Sequence, residues 1–294
     1  MKILIYGHRI KDEDEVSYFR QLLEALTESG IDQFIFGPLK TELSHRGLSV
    51  DHVSELSTYE EIKNELPDFV LTMGGDGTIL HAVTMVRDSG IPILGINLGR
   101  LGFLASVEKK IIRRAIQYLF KKEYTIVSRS LLGLSSNIPV FEDFPFALND
   151  FTLNKRDTSS MITIHMFIDN VLLNSYWADG IIISTPTGST GYSLSCGGPI
   201  IFPDSKTLII TPVAPHNLNV RPIVIPDFHK ISLKVEGRTD SFMSTLDSRY
   251  ETITKDHRIE ITKGHFRINF VQLKGHSFMK TISEKLLWGI DKRN

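Results

Sequence analysis

The chain has 294 residues, 41% hydrophobic and 23% charged, enough for one large core or two medium ones. Lys+Arg 33 against Asp+Glu 34 gives a net charge of -1, which removes any global electrostatic reason for nucleic acid or an anionic membrane as partner. The single cysteine, Cys196, excludes an intrachain disulfide and a cysteine-based zinc site.

Ile3 to Tyr6 is a short apolar strand ending at Gly7. The N-terminus lacks the long apolar region of a signal peptide, and no apolar stretch approaches membrane-spanning length. With one cysteine, this leads us to expect a cytoplasmic protein. Val16, Phe19, Leu22, Leu23 and Leu26 recur at helical spacing, and Gly30 supplies a C-terminal cap. Phe34 to Phe36 reads as a second strand stopped by Gly37-Pro38. Ser57 and Glu60 have the spacing of a capping box at the head of a short helix, which Pro67 ends.

Asp68 to Met73 reads as a buried strand, and Gly74-Gly75-Asp76-Gly77-Thr78 follows it directly. Ile79, Leu80, Val83 and Val86 then lie on one face of a helix. Glycines let the backbone turn tightly and let a ligand approach the amides, and free N–H groups at a helix start favour a phosphate. A carboxylate held beside a phosphate is repelled unless a cation or a reacting hydroxyl stands between them. The combination points to phosphoryl transfer, with Asp76 as base or metal-side ligand. The competing reading is an ordinary strand-to-helix turn capped by Asp76.

After Gly90 a strand from Pro92 to Ile96 leads into Asn97-Leu98-Gly99-Arg100-Leu101-Gly102-Phe103-Leu104. That loop leaves a strand's carboxyl end, the edge where open α/β sheets bind ligands. A helix carrying Ile111, Ile112, Ala115, Ile116, Leu119 and Phe120 follows. Alternating strands and helices predict an open parallel sheet in an α/β domain over residues 1–123.

From Tyr124 the texture changes. Tyr124 to Leu134, Phe146 to Leu153, Met161 to Ile168 and Val171 to Tyr176 are strand-like, with Asp169-Asn170 as a hairpin turn. Gly180 to Thr185, Thr207 to Thr211, Ile231 to Glu236, Phe242 to Leu246, Arg258 to Thr262 and Phe266 to Leu273 continue the pattern. Residues 124–276 are therefore read as a β-rich domain. Ser277 to Trp288 is helical again, with Phe278, Ile282, Leu286 and Leu287 on one side, and residues 277–294 are expected to rejoin the first domain.

Within the β-rich half, Asp179 to Pro199 is dense in glycine and hydroxyls, which hydrogen-bond phosphates, ribose or base edges. Tyr192 offers a ring for stacking on adenine. No lysine follows its Gly-Ser or Gly-Thr, so it is not a Walker loop, and no GxGxxG follows the first strand, which disfavours a dehydrogenase. Cys196 reads as a small packing residue.

Taken together, these stretches resemble the NAD kinase family. GGDGT, NLGRLGFLA, Asn149-Asp150, ADGIIISTPTGSTGYSLSCGGPI, and Pro215-His216-Asn217-Leu218 with Arg221-Pro222 stand in the family's order and rough spacing. GGDG is shared with diacylglycerol, sphingosine and phosphofructokinase relatives, whereas TPTGSTGYSLS is far more specific. The resemblance implies transfer of the ATP γ-phosphate to the 2′-hydroxyl of the adenosine ribose of NAD, giving NADP, with Asp76 as proton acceptor. It implies that Asp76 and Gly77 lie against the dinucleotide and that His81 is near a phosphate, although His81 also reads as a plain surface histidine.

By the same resemblance Asn149 and Asp150 hold ribose hydroxyls and Asp179 the carboxamide end. Thr187, Thr190, Gly191, Tyr192, Ser193, Leu194, Ser195 and Ala214 line the adenosine pocket. It further implies Mg²⁺ or another divalent cation with ATP, without identifying a protein ligand for the metal. NAD and ATP are then the partners, with no nucleic acid and no membrane, in a homodimer or homotetramer. Trp177 departs from an Arg common in relatives, and Gly191 from a common Ala. Two alternatives stand beside this reading: a lipid kinase of the diacylglycerol type, and a non-catalytic NAD-binding sensor. The TPTGSTGYSLS run opposes the first and Asp76 the second.

Overall fold

The structure, a computed structural model, describes residues 1–8, 10–156 and 160–287. The chain divides into two units, Met1–Ser128 with Ile268–Asn294, and Arg129–Arg267. In chain order the first comprises β1 (Lys2–Gly7), α1 (Glu13–Glu28), β2 (Asp32–Phe36), α2 (Gly37–His45), β3 (Ser54–Leu56), α3 (Tyr59–Glu65), β4 (Phe69–Met73), α4 (Asp76–Val86), β5 (Ile93–Asn97), β6 (Val107–Glu108) and α5 (Ile112–Phe120). Its helices start where the chemistry allows. Asp12 caps α1 by accepting from Glu15 N, and Thr58 with Glu61 forms the capping box of α3. That box lies one residue beyond the Ser57–Glu60 pair expected from spacing. Gly37-Pro38 does not merely stop β2: Pro38 sits in the first turn of α2, where its missing N–H costs nothing, and Leu39 and Leu43 are buried.

The strands of this unit run β3-β2-β1-β4-β5, and each neighbouring pair is parallel. β4 and β5 are buried at every residue, as parallel strands covered on both faces must be. The order reverses at β1, which has β2 on one side and β4 on the other. An open sheet of this kind leaves its ligand crevice at the carboxyl ends of the strands flanking that switch point. Gly74 follows β4 directly, so the glycine turn stands at the switch point.

The second unit contains most of β7 (Tyr124–Ser136), then β8 (Phe146–Ala147), β9 (Asp150–Lys155), β10 (Ile162–Ile168), β11 (Val171–Ala178) and β12 (Gly180–Ser184). There follow the single turn α6 (Tyr192–Ser195), β13 (Thr207–Val213), β14 (Ile223–Pro226), β15 (Ile231–Glu236), β16 (Phe242–Leu246), β17 (Arg249–Ile253) and the start of β18 (Ile259–Leu273). The rest of β18 and the helix α7 (Phe278–Leu286) belong to the first unit, where Phe270 pairs in parallel with Ile93. One antiparallel sheet runs β14-β13-β12-β9-β16-β17; another pairs β11, β10, β15 and β18. Phe151, Leu153, Ile181, Ile183, Ile210 and Phe242 of the first sheet share a core with Ile164, Met166, Leu233, Val235 and Ile261 of the second. Alternation along each strand thus points one set of side chains into this core and the other set, which includes the polar Asp150, Thr152, Ser184 and Thr211, to the opposite face, where they are also buried.

Asp169 and Asn170 have φ of 49° and 69°, as a tight hairpin turn of this hand requires. The expected strand Phe146 to Leu153 is broken at Leu148-Asn149, and the two strands expected between Arg258 and Leu273 are one. β14 and β17, short and partly exposed, lack the apolar alternation by which a strand is recognised. Trp288 lies outside the described residues.

Candidate active site

Asp76 opens α4, and Gly75, its N-cap, offers no side-chain acceptor to the first turn. Asp76 does not cap the helix either. Its carboxylate accepts from three amides of the following loop: Phe103 N at 2.9 Å on Oδ2, and Leu104 N at 3.1 Å and Ala105 N at 3.0 Å on Oδ1. The two motifs of this unit are therefore one object, joined through one side chain. A carboxylate has about four lone-pair positions, so three donors leave about one, on Oδ2, for an incoming hydroxyl. Gly102 is required by this closure, since a Cβ there would stand 1.8 Å from Asp76 Oδ1. Lys285 of α7 lies over the Phe103 ring at 4.8 Å. Gly77 is exposed, and a Cβ there would meet no atom within 4 Å. His81, one turn along α4, packs against His8, which follows β1, with ring centroids 5.1 Å apart and the planes tilted by 45°.

The remaining expected site residues lie in the second unit. Asp150, Thr152, Ser184 and Thr211 all occupy the non-core face of the six-stranded sheet: Asp150 is opposite Ser184, and Thr152 and Thr211 flank Ile182 on either side. Ser193 Oγ lies 2.8 Å from Thr211 Oγ1 and pins the hydroxyl-rich loop to that face. The loop also grips Asn149 directly. Thr185 N donates to Asn149 O at 2.9 Å, and Thr185 Oγ1 to Leu148 O at 2.6 Å. Thr190 Oγ1 donates to Thr187 O and Gly191 N to Gly188 O, which shapes the turn before Tyr192. The Thr187 hydroxyl and the Ser184 hydroxyl are buried with no hydrogen-bond partner. Tyr192 is 43% exposed, Leu194 half-buried, and Ser195 exposed.

Gly188 approaches the Asn149 backbone so closely that a Cβ would lie 2.1 Å from Asn149 O. That neighbour is backbone and cannot swing away. Gly188→Ala is expected to separate the hydroxyl-rich loop from Asn149 and to cost roughly 1–3 kcal/mol of stability, as overpacked sites do. A thermal melt indistinguishable from wild type would show that the contact is slack.

Asp179 is already engaged: Lys155 Nζ is 2.6 Å from its Oδ1. The same buried oxygen has no well-formed hydrogen bond, so the contact is an ion pair by charge and distance only. Trp177 packs on His216 with centroids 4.2 Å apart, and His216 N donates to Trp177 O at 2.8 Å. Both rings border a cavity of about 550 Å³ that also touches Asn174 and Asn217. Ala214 is exposed and holds a left-handed backbone, φ 44°, at the end of β13.

Burial, and then the neighbouring Asp247 carboxylate, push the Asp150 carboxyl from 3.8 up to about 7. The folded chain therefore keeps a proton that the unfolded chain loses near pH 4. Stability from this group falls as pH rises from about 4 to about 7, and the cost persists above that range. Asp150→Asn should match wild type at pH 4 and be more stable at pH 8, by at most about 4 kcal/mol. Melting curves at the two pH values check this; an equal difference at both would mean that Asp150 ionises normally.

Residue spacing did not point to Asp247, Lys155, His8 or the amides of residues 103–105. Asp247-Ser248 reads as an ordinary hairpin tip, and a backbone donor leaves no mark in a sequence.

A parallel sheet with a phosphate-suited glycine turn at its switch point, joined in one chain to a β-sandwich with a hydroxyl-rich loop, defines a nucleotide-handling kinase. The same fold occurs in yeast NADH kinase, crystallised with NADH, at a TM-score of 0.88 and 24% identity over 99% of this chain and 88% of that one. It occurs also in an NAD kinase from Archaeoglobus fulgidus, crystallised with ATP, at a TM-score of 0.77 over 98% and 99% of the two chains. Residues 6–124 match the ATP-NAD kinase N-terminal domain and residues 148–273 the ATP-NAD kinase C-terminal domain. The chain is 48% identical to an NAD kinase of Bacteroides fragilis and 44% identical to one of Flavobacterium johnsoniae, covering 100% of each pair. It belongs to the NAD kinase family.

Proposed function

We propose that this chain transfers the ATP γ-phosphate to the 2′-hydroxyl of the adenosine ribose of NAD. One observation carries the mechanism: the Asp76 carboxylate is fixed by three amides beside an uncapped helix start, with about one lone pair left. In this reading the 2′-hydroxyl hydrogen-bonds to Asp76 Oδ2 and gives up its proton there. The new bond joins the 2′-oxygen to the γ-phosphorus, the bond from that phosphorus to the β–γ bridging oxygen breaks, and ADP leaves. The first-turn N–H groups of α4 and the exposed Gly77 accommodate phosphate, and the His81–His8 pair lies one turn further along. Asn149 and Asp150 take ribose hydroxyls; Asp150, raised to about 7 and so partly protonated at neutral pH, can donate as well as accept. Tyr192 offers an exposed ring to the adenosine, with Thr187 in the same loop.

Among the described residues no three metal-ligating side chains come together. This suits Mg²⁺ arriving on the ATP phosphates, since that ion keeps its waters and needs few protein ligands. When bound, it neutralises charge on the phosphates. Among the described residues no helix is long and apolar enough to cross a membrane; with the near-neutral charge this supports a cytoplasmic enzyme. We also infer a homodimer or homotetramer, by kinship with the family.

Incubation with NAD, ATP and Mg²⁺ should yield NADP. Phosphorylation of diacylglycerol in its place would favour a lipid kinase, and NAD binding without NADP would favour a sensor.

A further inference from the structure

We propose that Asp247 is a positioning residue, whose carboxylate sets where Asn149 and Asp150 meet the ribose. This rests on the reading of those two residues given above.

Asp247 is the tip of the β16–β17 hairpin. Its carboxylate accepts from Leu148 N at 2.8 Å on one oxygen, and from Asn149 N at 2.8 Å and Asp150 N at 3.2 Å on the other. Its own N–H donates to Asp150 O at 2.9 Å. Two of the amides, of Leu148 and Asn149, belong to the break between β8 and β9, and the third, of Asp150, opens β9. Pairing of β9 with β16 reaches only as far as Phe151 opposite Leu246. Two residues along the hairpin, Arg249 donates to the carbonyls of Phe144 and Phe146. One hairpin therefore holds residues 144–150 by carbonyls on one side and by amides on the other.

Asp247 holds a left-handed backbone, φ 55°, which aspartate adopts in tight hairpin turns, as Asp169 does at φ 49°.

Asp247 also faces Asp150. Burial pushes the Asp247 carboxyl above its ordinary value, against the three amide donors and the Arg249 guanidinium, which favour the ionised form. Three of the lone-pair positions of Asp247 are taken by amides, and burial together with the Asp247 charge raises the Asp150 carboxyl to about 7. The other titratable groups near Asp150 are Tyr192 and Cys196, each of which feels its charge, and the uncharged Ser184 stands opposite on β12.

The test uses two full-length variants. Asp247→Asn keeps the shape but turns an NH₂ group toward at least one of the three amides. Asp247→Gly relieves the backbone and removes the carboxylate. Both should raise the KM for NAD by about 10- to 100-fold, as a displaced positioning group does, and leave the KM for ATP unchanged. In Asp247→Asn the pH at which NAD affinity changes should move below about 7, because Asp150 loses a negative neighbour. A wild-type KM for NAD in a folded Asp247→Gly would overturn the proposal. So would equal increases in both KM values, or failure of both variants to fold where wild type folds, since each marks a purely structural role. Wild type alongside separates the two readings: if it makes no NADP, the proposed function fails, not the role of Asp247.

Discussion

Asp76→Asn is expected to bind NAD nearly as well as wild type and to lose on the order of 10²–10⁴-fold in kcat. A ribose hydroxyl is almost wholly protonated at neutral pH and attacks phosphorus poorly until a base takes the proton. Asn can still hydrogen-bond the hydroxyl but cannot accept that proton. The geometry adds a second consequence. With its oxygen in the place of Oδ1, Asn keeps the bonds from Leu104 and Ala105 but points its NH₂ at the Phe103 N–H. An unmet donor there costs roughly 1–3 kcal/mol, so the melting temperature should fall modestly. The measurement is kcat beside a calorimetric Kd for NAD on one folded preparation. Turnover near wild type would remove Asp76 as the base. Loss of both binding and folding would leave it only the role of a loop clasp.

Gly102→Ala should be nearly as damaging although the side chain it adds is one methyl. Its Cβ would sit 1.8 Å from Asp76 Oδ1 and 2.6 Å from Asp76 Cγ. The end of a side chain can usually yield, but this one is held by three amides from the same loop. Moving it breaks the bonds that hold residues 103–105 and takes the carboxylate away from its place over the glycine turn. A fall of about 10²-fold in kcat is expected, as for a catalytic group displaced by an ångström. Activity equal to wild type would show that the loop relaxes and that Asp76 does not depend on it. Because Gly102 has no side chain to act on substrate, a large loss would show that placing Asp76 is as important as having it.

Much of this protein was legible in one dimension, because the relevant physics is local. The apolar runs Ile3 to Tyr6 and Asp68 to Met73, the period of Val16, Phe19, Leu22 and Leu26, and the change of texture after Tyr124 depend on neighbours in sequence. So does Asp169-Asn170, whose left-handed pair is a property of the turn itself. GGDGT and TPTGSTGYSLS are visible for the same reason: close approach of backbone to backbone or ligand demands glycine wherever the partner lies.

What only the tertiary structure decided are the partnerships. Nothing in the sequence joins Asp76 to amides 27–29 residues away, or Asp247 to amides 97–99 residues away. The donors are main-chain N–H groups, which every non-proline residue carries, so composition and spacing are silent about which of them a carboxylate will find. The same holds for Asp150, an ordinary aspartate in the sequence. Burial at the start of β9, with Asp247 brought beside it by a hairpin, is what moves its proton affinity to about 7. Local residue chemistry determined the elements and the glycines; long-range hydrogen bonding and desolvation decided what each carboxylate can do.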